Sequence, residues 1–591
     1  MELWSRIKDK VLRIGQYANI SPMKAYVLKD KLSNINTALR EHPPLLAILL
    51  ANRGITDEVK AQTFLNPDYD EHLHDPFLLK GMEVAVARIL QAIDRNETVL
   101  LFGDYDADGI PGSVVFHDFF KKIGFTNFTN YIPHRHDEGF GLNHEAIEQF
   151  KTEGVTLMIT IDCGTADVAE VDQAVGHGID VIITDHHEPN GKMPKALAII
   201  NPKQESCAYP FDGLCGSGVV FKLIQAILQR RDFGLKPGLE KWWLDLVGLA
   251  TLSDMVPLVG ENRALAYFGL KVLRKSPRPG LAALLRKMRL DQRHLTEDDI
   301  GFMISPRINA ASRMGVPKDA FDLLATTDLA TAGALAEHLD KINNERKGIV
   351  AAMVKDAKKH LRAREISGEL SEVIVTGNPK WLPSLAGLAA NTLAEEFKRP
   401  VFIWGRDGSE TIKGSCRTYN GTDLMKLMTG AKKLFLEFGG HRLSGGFSLA
   451  TENVHNLESA LSKGFNKAQV KTDSDEESFW VDSEMSLSDI SWSTYDLINQ
   501  LAPFGVGNPK PQFLFSQVVI AGVRDFGKDK NHLELSFETS DKKIVKAIKF
   551  FAGTQDRELK AGQKIDLVAS LEKSVWRGFP ELRLRIVDTT P

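Results

Sequence analysis

The sequence predicts an α/β protein of several domains: a parallel-sheet domain, a long bridging helix, a smaller α/β domain and a small C-terminal β-barrel. Its 591 residues are too many for one hydrophobic core. Short apolar runs alternate with helical patterns over residues 98–184, which is typical of a parallel sheet. Beyond residue 501 many short apolar runs follow one another, which favours a barrel.

The predicted sheet rests on three short apolar runs. We expect strands at Thr98–Phe102, Val155–Ile161 and Val181–Thr184. Helical patterns at Gly112–Lys121 and Asp167–His177 separate these runs. Because parallel strands end at the same edge of a sheet, residues that follow the three strands are expected to lie together.

The next regions follow from composition. A helical pattern covers Pro44 to Asn66, and a proline-free run from Leu329 to Arg362 predicts one long helix between two domains. Strands at Val373–Val375 and Val401–Trp404, with a helix between them, predict a second α/β domain that ends near Ala468. The acidic, polar stretch Thr472–Ser478 is a predicted linker.

The predicted barrel consists of six short strands: Phe513–Phe515, Val518–Val523, His532–Glu538, Lys543–Phe551, Lys564–Leu571 and Glu581–Val587. Its aromatic residues fit two interpretations. They are either core residues or a platform on which nucleic-acid bases stack. The residues concerned are Phe504, Phe513, Phe515, Phe526 and Trp576.

Composition narrows the class of protein. With 43% hydrophobic and 25% charged residues the chain reads as a globular protein, and the longest early apolar run, Leu45 to Leu50, is too short to span a membrane. We therefore expect a cytoplasmic protein without a membrane partner. The net charge of −4 argues against a protein that coats DNA through a basic surface, but it is compatible with a nuclease that gathers acids around metal ions.

Acidic residues and histidines follow all three predicted strands. The acids and imidazoles are Asp104, Asp106 and Asp108, then Asp162, then Asp185, His186 and His187; Asp254 follows another apolar stretch, Leu244 to Leu252. So many carboxylates in one crevice repel one another unless cations neutralise them. The pattern therefore predicts two divalent metal ions. Mixed oxygen and imidazole ligation favours Mn²⁺ over Mg²⁺, and a metal pair can catalyse phosphodiester hydrolysis.

One alternative for the first acidic segment is a calcium loop. Asp104, Asp106, Asp108 and Gly109 match the opening of an EF-hand. That loop requires Glu at its twelfth position, where this chain has Val115, and it lies between two helices. The metal-pair interpretation is preferred.

The chain resembles the DHH phosphoesterase superfamily and, within it, the RecJ exonuclease family. The resemblance runs from about Leu45 to the C-terminus. It is carried by an ordered set of motifs: "FGDYDADG", "YIPHRHDEGFGLN", "TIDCGT", "ITDHHEP", "LSDMVPL", "SPRINAASRMG", "KGSCR" and "FGGHRLSGGFSL". The implied organisation is an N-terminal appended segment (1–43), a DHH catalytic domain (44–327), a bridging helix (328–365), a DHH-associated substrate-binding domain (366–470), and a linker with an OB-fold (471–591).

The resemblance also implies residue roles. The metal ligands would be Asp104, Asp106, Asp108, Asp162, Asp185, His186 and Asp254, with Asp162 bridging the two ions. His187 would contact the scissile phosphate and join Asp162 and Asp108 as catalytic residues. The nucleic-acid contacts would be Arg307, Asn309, Arg313, Ser415, Arg417, Gly439, Gly440 and His441.

The implied activity is a single-stranded-DNA-specific 5′-to-3′ exonuclease that releases 5′-mononucleotides by two-metal catalysis in DNA repair and recombination. Its partners would be single-stranded DNA and a single-strand binding protein or a helicase. One departure is Leu382, which stands where the family commonly has a histidine after tryptophan. Two alternatives stay open: a DHH-family phosphoesterase that acts on short oligonucleotides or cyclic dinucleotides, and a non-catalytic DNA-binding relative.

Overall fold

The computed structural model describes residues 26–29, 39, 41–189, 191–408, 411–419, 421–469, 479–527, 530–553, 555–576 and 579–590. The predicted linker Thr472–Ser478 and most of the predicted appended segment 1–43 lie outside the described residues. The chain forms two compact units. The sheet unit comprises Pro67–Thr472 with Gly505–Gly507, and the barrel unit comprises Met1–Asn66, Asp473–Phe504 and Asn508–Pro591.

Strands are numbered along the chain, and β1 (Tyr26–Leu28) belongs to the barrel unit. The first sheet of the sheet unit has five parallel strands in the order β3-β2-β4-β5-β6. They are β2 (Val99–Gly103), β3 (Phe128–Tyr131), β4 (Leu157–Ile161), β5 (Asp180–Thr184) and β6 (Ala198–Ile200). The three predicted strands form β2, β4 and β5, whereas the short β3 and β6 were not predicted.

The strand order places a crevice at one edge of this sheet. From β2 the chain passes to β3 on one side, and it then crosses to β4 on the other side. Ligands bind outside the carboxyl ends of strands where the order reverses in this way. β2, β4 and β5 are fully or almost fully buried, because helices cover both faces of the sheet.

The helices around the first sheet include the predicted one after β2, which spans Gly109–Lys122, and the predicted one after β4, which spans Val168–Gly176. The apolar stretch before Asp254 is also a helix, Leu244–Ser253. The other α-helices of this part are Tyr69–His72, Met82–Arg95, His144–Thr152, Gly216–Arg230, Gly260–Leu273, Pro279–Met288, Glu297–Asp299, Ser305–Met314 and Lys318–Ala325, with a π-helix at Ile300–Ile304 and 3₁₀ turns at Pro76–Leu78, Leu239–Trp243 and Gln292–His294.

The predicted long helix spans Leu329–Ile366, 38 residues, which corresponds to ~57 Å. It leads to a second sheet in the order β10-β11-β9-β8-β7, in which only β7 and β8 are parallel. The strands are β7 (Ile374–Gly377), β8 (Val401–Gly405), β9 (Ile412–Arg417), β10 (Phe435–His441) and β11 (Ser444–Leu449); the helices are Pro383–Phe397, Leu424–Gly430 and Val454–Ala468, with 3₁₀ turns at Lys432–Leu434 and Thr451–Asn453.

The barrel unit contains a closed barrel. Its strands are β14 (Phe513–Phe526), β15 (His532–Glu538), β16 (Ile544–Lys549), β17 (Lys564–Trp576) and β18 (Phe579–Thr590). β14 pairs with both β15 and β17, and β18 pairs with β16 and β17, so the five strands have no open edge. The same unit contains β12 (Phe479–Val481), β13 (Ser483–Glu484), the helices Pro44–Asn52, Glu58–Leu65 and Trp492–Asn499, and 3₁₀ turns at Leu487–Asp489 and Gln555–Glu558.

The two predicted strands at 513–523 are one strand, β14, whose pairing with β17 shifts register between Phe515 and Val518. Phe504, Phe513 and Phe515 are core residues, as one interpretation predicted, while Phe526 is half-buried. The side chain of Trp576 lies outside the described residues. Among the helices that the structure describes, none has the length and apolarity needed to cross a membrane.

One predicted boundary differs from the structure. The helices Pro44–Asn52 and Glu58–Leu65 were assigned to the catalytic domain, but they lie in the barrel unit. The buried Leu46, Leu49 and Leu50 share one hydrophobic core with the barrel residues Phe513 and Phe515. The helical pattern indicated that these residues need a partner, but it contained no information about which core supplies it.

Candidate metal centre

The loop after β2 brings three carboxylates into the crevice. Asp104 and Asp108 are buried, and one Asp104 oxygen, Oδ1, has no hydrogen-bond partner. Asp106 Oδ1 accepts hydrogen bonds from the backbone N–H groups of Asp108 (2.8 Å) and Gly109 (3.1 Å). These bonds fold the acidic segment into a tight turn, so that all three side chains follow the same strand end.

Asp108 is anchored by the N-terminus of the helix Gly216–Arg230. Its Oδ2 atom accepts from the backbone N–H of Gly216 (2.6 Å), and its Oδ1 atom accepts from that of Ser217 (2.8 Å). Free N–H groups at a helix start favour an anion. Glycine is required at 216 because a Cβ atom there would lie 2.4 Å from Asp162 Oδ1.

Asp162, directly after β4, lies at the centre of the cluster. Its backbone has a positive φ of 64°, which aspartate tolerates better than most residues. The residue is 2% exposed, and its Oδ1 atom has no hydrogen-bond donor. His186 Nε2 lies 3.2 Å from this oxygen, 3.7 Å from Asp254 Oδ2 and 3.8 Å from Asp108 Oδ2. Asp254 ends the helix Leu244–Ser253.

The ligand atoms fall into three overlapping sets, each within 4.8 Å: Asp104, Asp106 and Asp162; Asp162, His186 and His187; and Asp108, His186 and Asp254. Asp162 and His186 each belong to two sets, which suits two adjacent cations. The donors fit divalent ions, since the buried oxygens Asp104 Oδ1 and Asp162 Oδ1 accept no hydrogen bond in the structure.

Electrostatics point the same way. Burial, reinforced by the neighbouring charge of Asp106, raises the pKa of Asp104 well above its usual value, and burial with the charge of Asp108 does the same for Asp162. Burial and the charges of Asp108 and Asp106 raise the pKa of Asp254 to about 9. Burial lowers the pKa of His186, which favours the neutral imidazole that binds metals. Without cations, the protein itself does not supply the charge that this cluster needs.

Asp185 was predicted as a metal ligand, and this role stays a prediction, but both of its carboxylate oxygens already accept hydrogen bonds from the protein. Its Oδ1 atom accepts from the backbone N–H groups of His186 (2.7 Å) and His187 (3.0 Å), and its Oδ2 atom accepts from the N–H of Thr165 (2.9 Å). Oδ1 also lies 2.7 Å from His187 Nδ1. Asp185 therefore orients His187 and belongs to none of the three ligand sets.

His187 faces the open side of the crevice. Burial opposes its protonation, but the hydrogen bond and charge of Asp185 outweigh burial and raise the pKa of His187 to about 9. Its ring meets the edge of Phe140 at 5.8 Å between centroids, and Phe140 is 53% exposed. An aromatic side chain thus stands beside the imidazole, where a nucleobase could stack.

A group of arginines lies next to the carboxylates. Burial, with the positive charges of Arg135, Arg346 and Arg417, lowers the pKa of Arg313 to about 9. Arg313 donates to the Ser384 backbone carbonyl (2.8 Å), which ties it to the helix Pro383–Phe397. Repelling cations held together in this way favour an anion among them.

Ser415 and Arg417 lie on β9 and share one face of that strand. A Cβ atom at Gly387 would lie 3.0 Å from an Arg417 terminal nitrogen and 3.5 Å from Ser415 Cβ. Glycine at 387 therefore lets both side chains lie against the helix. Ser415, Arg417 and Arg313 meet at this helix, which brings three of the predicted nucleic-acid residues together.

Two other residues that were predicted to contact DNA form hydrogen bonds with groups of the protein itself. Arg307 is 6% exposed, and its guanidinium donates to Asp340 Oδ1 (2.7 and 2.9 Å) and to the Met303 carbonyl (2.7 Å). Asn309 accepts through its side-chain oxygen from the Ala107 N–H (2.9 Å) and so braces the acidic turn. Three N–H groups of the Arg307 guanidinium thus bond within the protein, and its predicted contact with phosphate stays a prediction.

Gly439, Gly440 and His441 form an exposed part of the edge strand β10. Within the described part of the chain they make no hydrogen bond or ion pair to the carboxylates, so their predicted role stays a prediction. Leu382 caps the helix Pro383–Phe397 and packs against its hydrophobic cluster.

Sequence reasoning missed Arg135, Phe140 and Arg346. Arg135 and Phe140 lie in the segment "YIPHRHDEGFGLN", where Arg135 stacks over the Tyr105 ring at 5.0 Å. Their irregular loop has no periodicity to mark them. Arg346 lies in the long helix among many other charged residues, and only its neighbours in space distinguish it.

Three family models match the chain. The DHH family N-terminal domain matches residues 98–251, the DHHA1 domain matches 369–467, and the RecJ OB domain matches 481–588. The fold class predicted from the sequence agrees with all three.

Similar proteins include the single-stranded-DNA-specific exonucleases RecJ of Bacillus subtilis (35% identity over 95% of this chain and 69% of that protein) and Haemophilus influenzae (31%, 95% and 98%). Among solved structures, RecJ of Thermus thermophilus in complex with Mn²⁺ matches with a TM-score of 0.79 and 25% identity over 96% of this chain and 79% of that one. A manganese-bound exonuclease RecJ matches with a TM-score of 0.56 and 30% identity over 65% and 94%.

Proposed function

Because the chain belongs to the RecJ family of single-stranded-DNA-specific exonucleases, we propose that it removes nucleotides from the 5′ end of single-stranded DNA in DNA repair and recombination. One observation carries the direction. The arginine group around Arg313 and Arg417 lies beside the carboxylate cluster, so a terminal phosphate can be bound while the next phosphate reaches the cluster.

Two divalent cations would occupy the cluster, with Asp104, Asp106 and Asp162 around one and Asp108, His186 and Asp254 around the other. Mn²⁺ suits these mixed ligands better than Mg²⁺, and the related structures contain either ion. When bound, the ions supply Lewis acidity and neutralise charge at the scissile phosphate.

The protein side chains position the strand. Arg313 and Arg417 would bind the 5′-terminal phosphate, with the Ser415 hydroxyl as a further donor. Phe140 would stack on the terminal base. A monoester phosphate carries more charge than an internal diester, so this group favours strand ends over internal positions.

His187 moves the proton. Its Nδ1–H donates to Asp185, which leaves Nε2–H to donate to a phosphate oxygen or to the departing 3′-oxygen. A water oxygen adds to phosphorus, and the bond from phosphorus to the 3′-oxygen of the terminal nucleotide breaks. The 3′-oxygen receives the His187 proton, and the proton that the water loses returns His187 to its protonated form. The products are a 5′-mononucleotide and a strand with a new 5′-phosphate, which the arginine group can bind in the next round.

The barrel would hold the strand further along. Phe526, His532, Phe550 and Phe551 form one aromatic cluster with ring centroids 5.0–5.9 Å apart, and Phe551 is 77% exposed. Such surfaces stack on bases without sequence preference. A single-strand binding protein or a helicase as partner, and a cytoplasmic location, stay predictions.

The test is digestion of end-labelled single- and double-stranded DNA with Mn²⁺, together with dinucleotides and ~40-mers as rival substrates. We expect mononucleotides from a 5′ label at once and from a 3′ label only late, and little cutting of the duplex. Preferred turnover of dinucleotides would favour the short-oligonucleotide phosphoesterase instead. No turnover of any substrate would favour the non-catalytic relative.

A further inference from the structure

A second cavity lies beside the proposed site for the strand end. It has a volume of about 770 Å³ and lies between the long helix and the helix Pro383–Phe397. The basic residues that line it are Arg346, Lys347, Lys355, Lys358 and Arg417. On the long helix they recur over three turns along one side, at ~1.5 Å per residue. The cavity therefore extends from Arg417 along that helix.

Most of this charge is unpaired. In the described residues, only Lys358 has an ion-pair partner, Glu396. Arg346 Nε is buried without any hydrogen-bond partner, and Arg417 uses its guanidinium only on the Cys416 carbonyl. Lys347 and Lys355 are exposed, whereas Arg346 and Arg417 are half-buried, and half-buried cations without a partner favour an anion beside them.

The rest of the lining is not that of a simple phosphate site. Val350, Val354 and Leu388 give the cavity an apolar wall, and Asn391 and Thr392 add polar side chains. An apolar wall beside a cationic rim fits a ligand with a flat or apolar body and a phosphate. A nucleotide has this composition, whereas inorganic phosphate would leave the wall unused.

We propose that this cavity is a second nucleotide site, which binds a nucleoside 5′-monophosphate or the equivalent end of a strand beside the site that positions the scissile bond. The proposal rests on the proposed function in one respect, because an exonuclease produces nucleotides at this place. A nucleotide held there shares Arg417 with the incoming 5′-phosphate. Occupancy would therefore slow the next round of hydrolysis.

The direct test uses the full-length protein without metal and measures dTMP binding by calorimetry. In that state the carboxylate cluster does not attract phosphate, and the change in dTMP binding caused by variants on the long helix distinguishes the cavity from the site of Arg313 and Phe140. We expect Lys347→Glu combined with Lys355→Glu to weaken dTMP binding at least ~10-fold, since two attractive charges become repulsive. Lys341→Glu is the matched control, because it makes the same change on the long helix at a residue that does not line the cavity and should leave binding within about twofold.

A second variant removes the space without changing the charge. Ala351 is an exposed helical residue that lines the cavity, and Ala351→Phe should also weaken dTMP binding while the protein stays folded by circular dichroism. The second site does not exist if the double lysine variant and Ala351→Phe bind dTMP with the same affinity as the original protein. It also does not exist if none of these proteins binds dTMP at millimolar concentration.

Digestion assays with Mn²⁺ present show whether the cavity binds a free nucleotide or the end of the strand itself. If a free nucleotide enters, added dTMP inhibits digestion of a 5′-phosphorylated strand, and the double variant loses this inhibition. If the strand's own end enters, dinucleotides appear among the first products and disappear in the double variant. If the enzyme is active but shows neither behaviour, the second site is contradicted and the proposed exonuclease function is not. Loss of all hydrolysis in the unaltered protein would instead contradict the proposed function, while metal-free dTMP binding could still be measured.

Discussion

The Nδ1 atom of His187 lies 2.7 Å from the Oδ1 atom of Asp185. This pair fixes which imidazole nitrogen faces the substrate, and it raises the pKa of His187 to about 9. Asp185 is thereby used within the protein. The Asp185-His186-His187 motif contributes His186 and His187 to the candidate ligand sets, and His187 is also an oriented proton donor.

Asp185→Asn should lower the pKa of His187, because the charge that outweighs burial is removed. In the metal-free protein, NMR titration should show His187 losing its proton near pH 9 in the original protein and at a clearly lower pH in the variant. His117, whose pKa burial lowers to about 4, is the internal control and should not move. An unchanged His187 titration would contradict the proposed role of Asp185.

The Asp185–His187 pair also predicts how the free energy of unfolding changes with pH. The pKa of His187 is higher in the folded protein than the unfolded value of ~6.5. Its contribution to the free energy of unfolding is therefore fully present below pH ~6.5 and is lost as the pH rises towards 9. Urea unfolding at pH 6 and pH 9.5 should show a smaller decline in Asp185→Asn than in the original protein.

Asp162→Asn should abolish hydrolysis, with a loss larger than the ~10–100-fold typical of residues that only support a ligand. Because the variant removes a buried carboxyl from a crowded cluster, its metal-free form should melt at the same or a higher temperature. Mn²⁺ should raise the melting temperature of the original protein and not that of the variant. Asp172→Asn on an exposed helical position is the control; turnover of Asp162→Asn near the original rate would exclude Asp162 from the metal site.

Arg417→Ala should affect hydrolysis of DNA with a 5′-phosphate more than hydrolysis of DNA with a 5′-hydroxyl. We expect the kcat/KM for 5′-phosphorylated DNA to fall ~10–100-fold, as expected for the loss of a charge-assisted hydrogen bond. The value for 5′-hydroxyl DNA should fall much less. Equal losses on both substrates would show that Arg417 does not bind the terminal phosphate.

Arg307→Ala should lower the free energy of unfolding and should not act through DNA binding. Removing it leaves Asp340 without its partner close to the core, which costs about 3–5 kcal/mol for a buried pair. The double variant Arg307→Ala with Asp340→Ala should recover part of this loss in denaturant unfolding. If Arg307→Ala unfolds normally but loses DNA affinity with a smaller salt dependence, Arg307 contacts phosphate after all.

Phe551→Ala should weaken binding of a ~40-mer by about 1–3 kcal/mol and leave a ~5-mer unaffected, because one stacking surface of the barrel is lost. Binding is measured by fluorescence anisotropy with Ca²⁺ to suppress cutting. Ile544→Ala, another exposed apolar residue of the barrel unit, is the control. Equal affinity of the Phe551 variant for the long strand would remove the aromatic cluster from the proposed path.

The features that could be predicted from the sequence are those that depend on residues close together along the chain. The long helix follows from a proline-free composition and the three central strands follow from short apolar runs, while the common position of the acids after the strands follows from the geometry of a parallel sheet. β6 has only three residues, too few for a pattern. Asp185 resembled a ligand because its neighbours are histidines, and only the positions of the surrounding N–H groups revealed that its oxygens accept hydrogen bonds from the protein.

The residues missed by the sequence share a physical reason. Arg135 and Arg346 are distant along the chain, and they act together with the predicted Arg417 on Arg313. A charge on a helix or in a loop is ordinarily solvated, and no spacing rule distinguishes one that faces other cations. The electrostatic cluster is a property of tertiary structure, so it becomes visible only when the elements are packed.

The shared core of Leu50 and Phe513 has a consequence for biosynthesis. The ribosome makes the helix Pro44–Asn52 long before the barrel strands that complete its core. At ~5–20 residues per second, roughly 25 to 90 seconds pass between the two. Throughout this interval the leucine-rich helix lacks its native partner while the sheet unit can already fold. We therefore expect nascent chains to be captured by a holdase chaperone through this helix, and release to coincide with synthesis of the last strand.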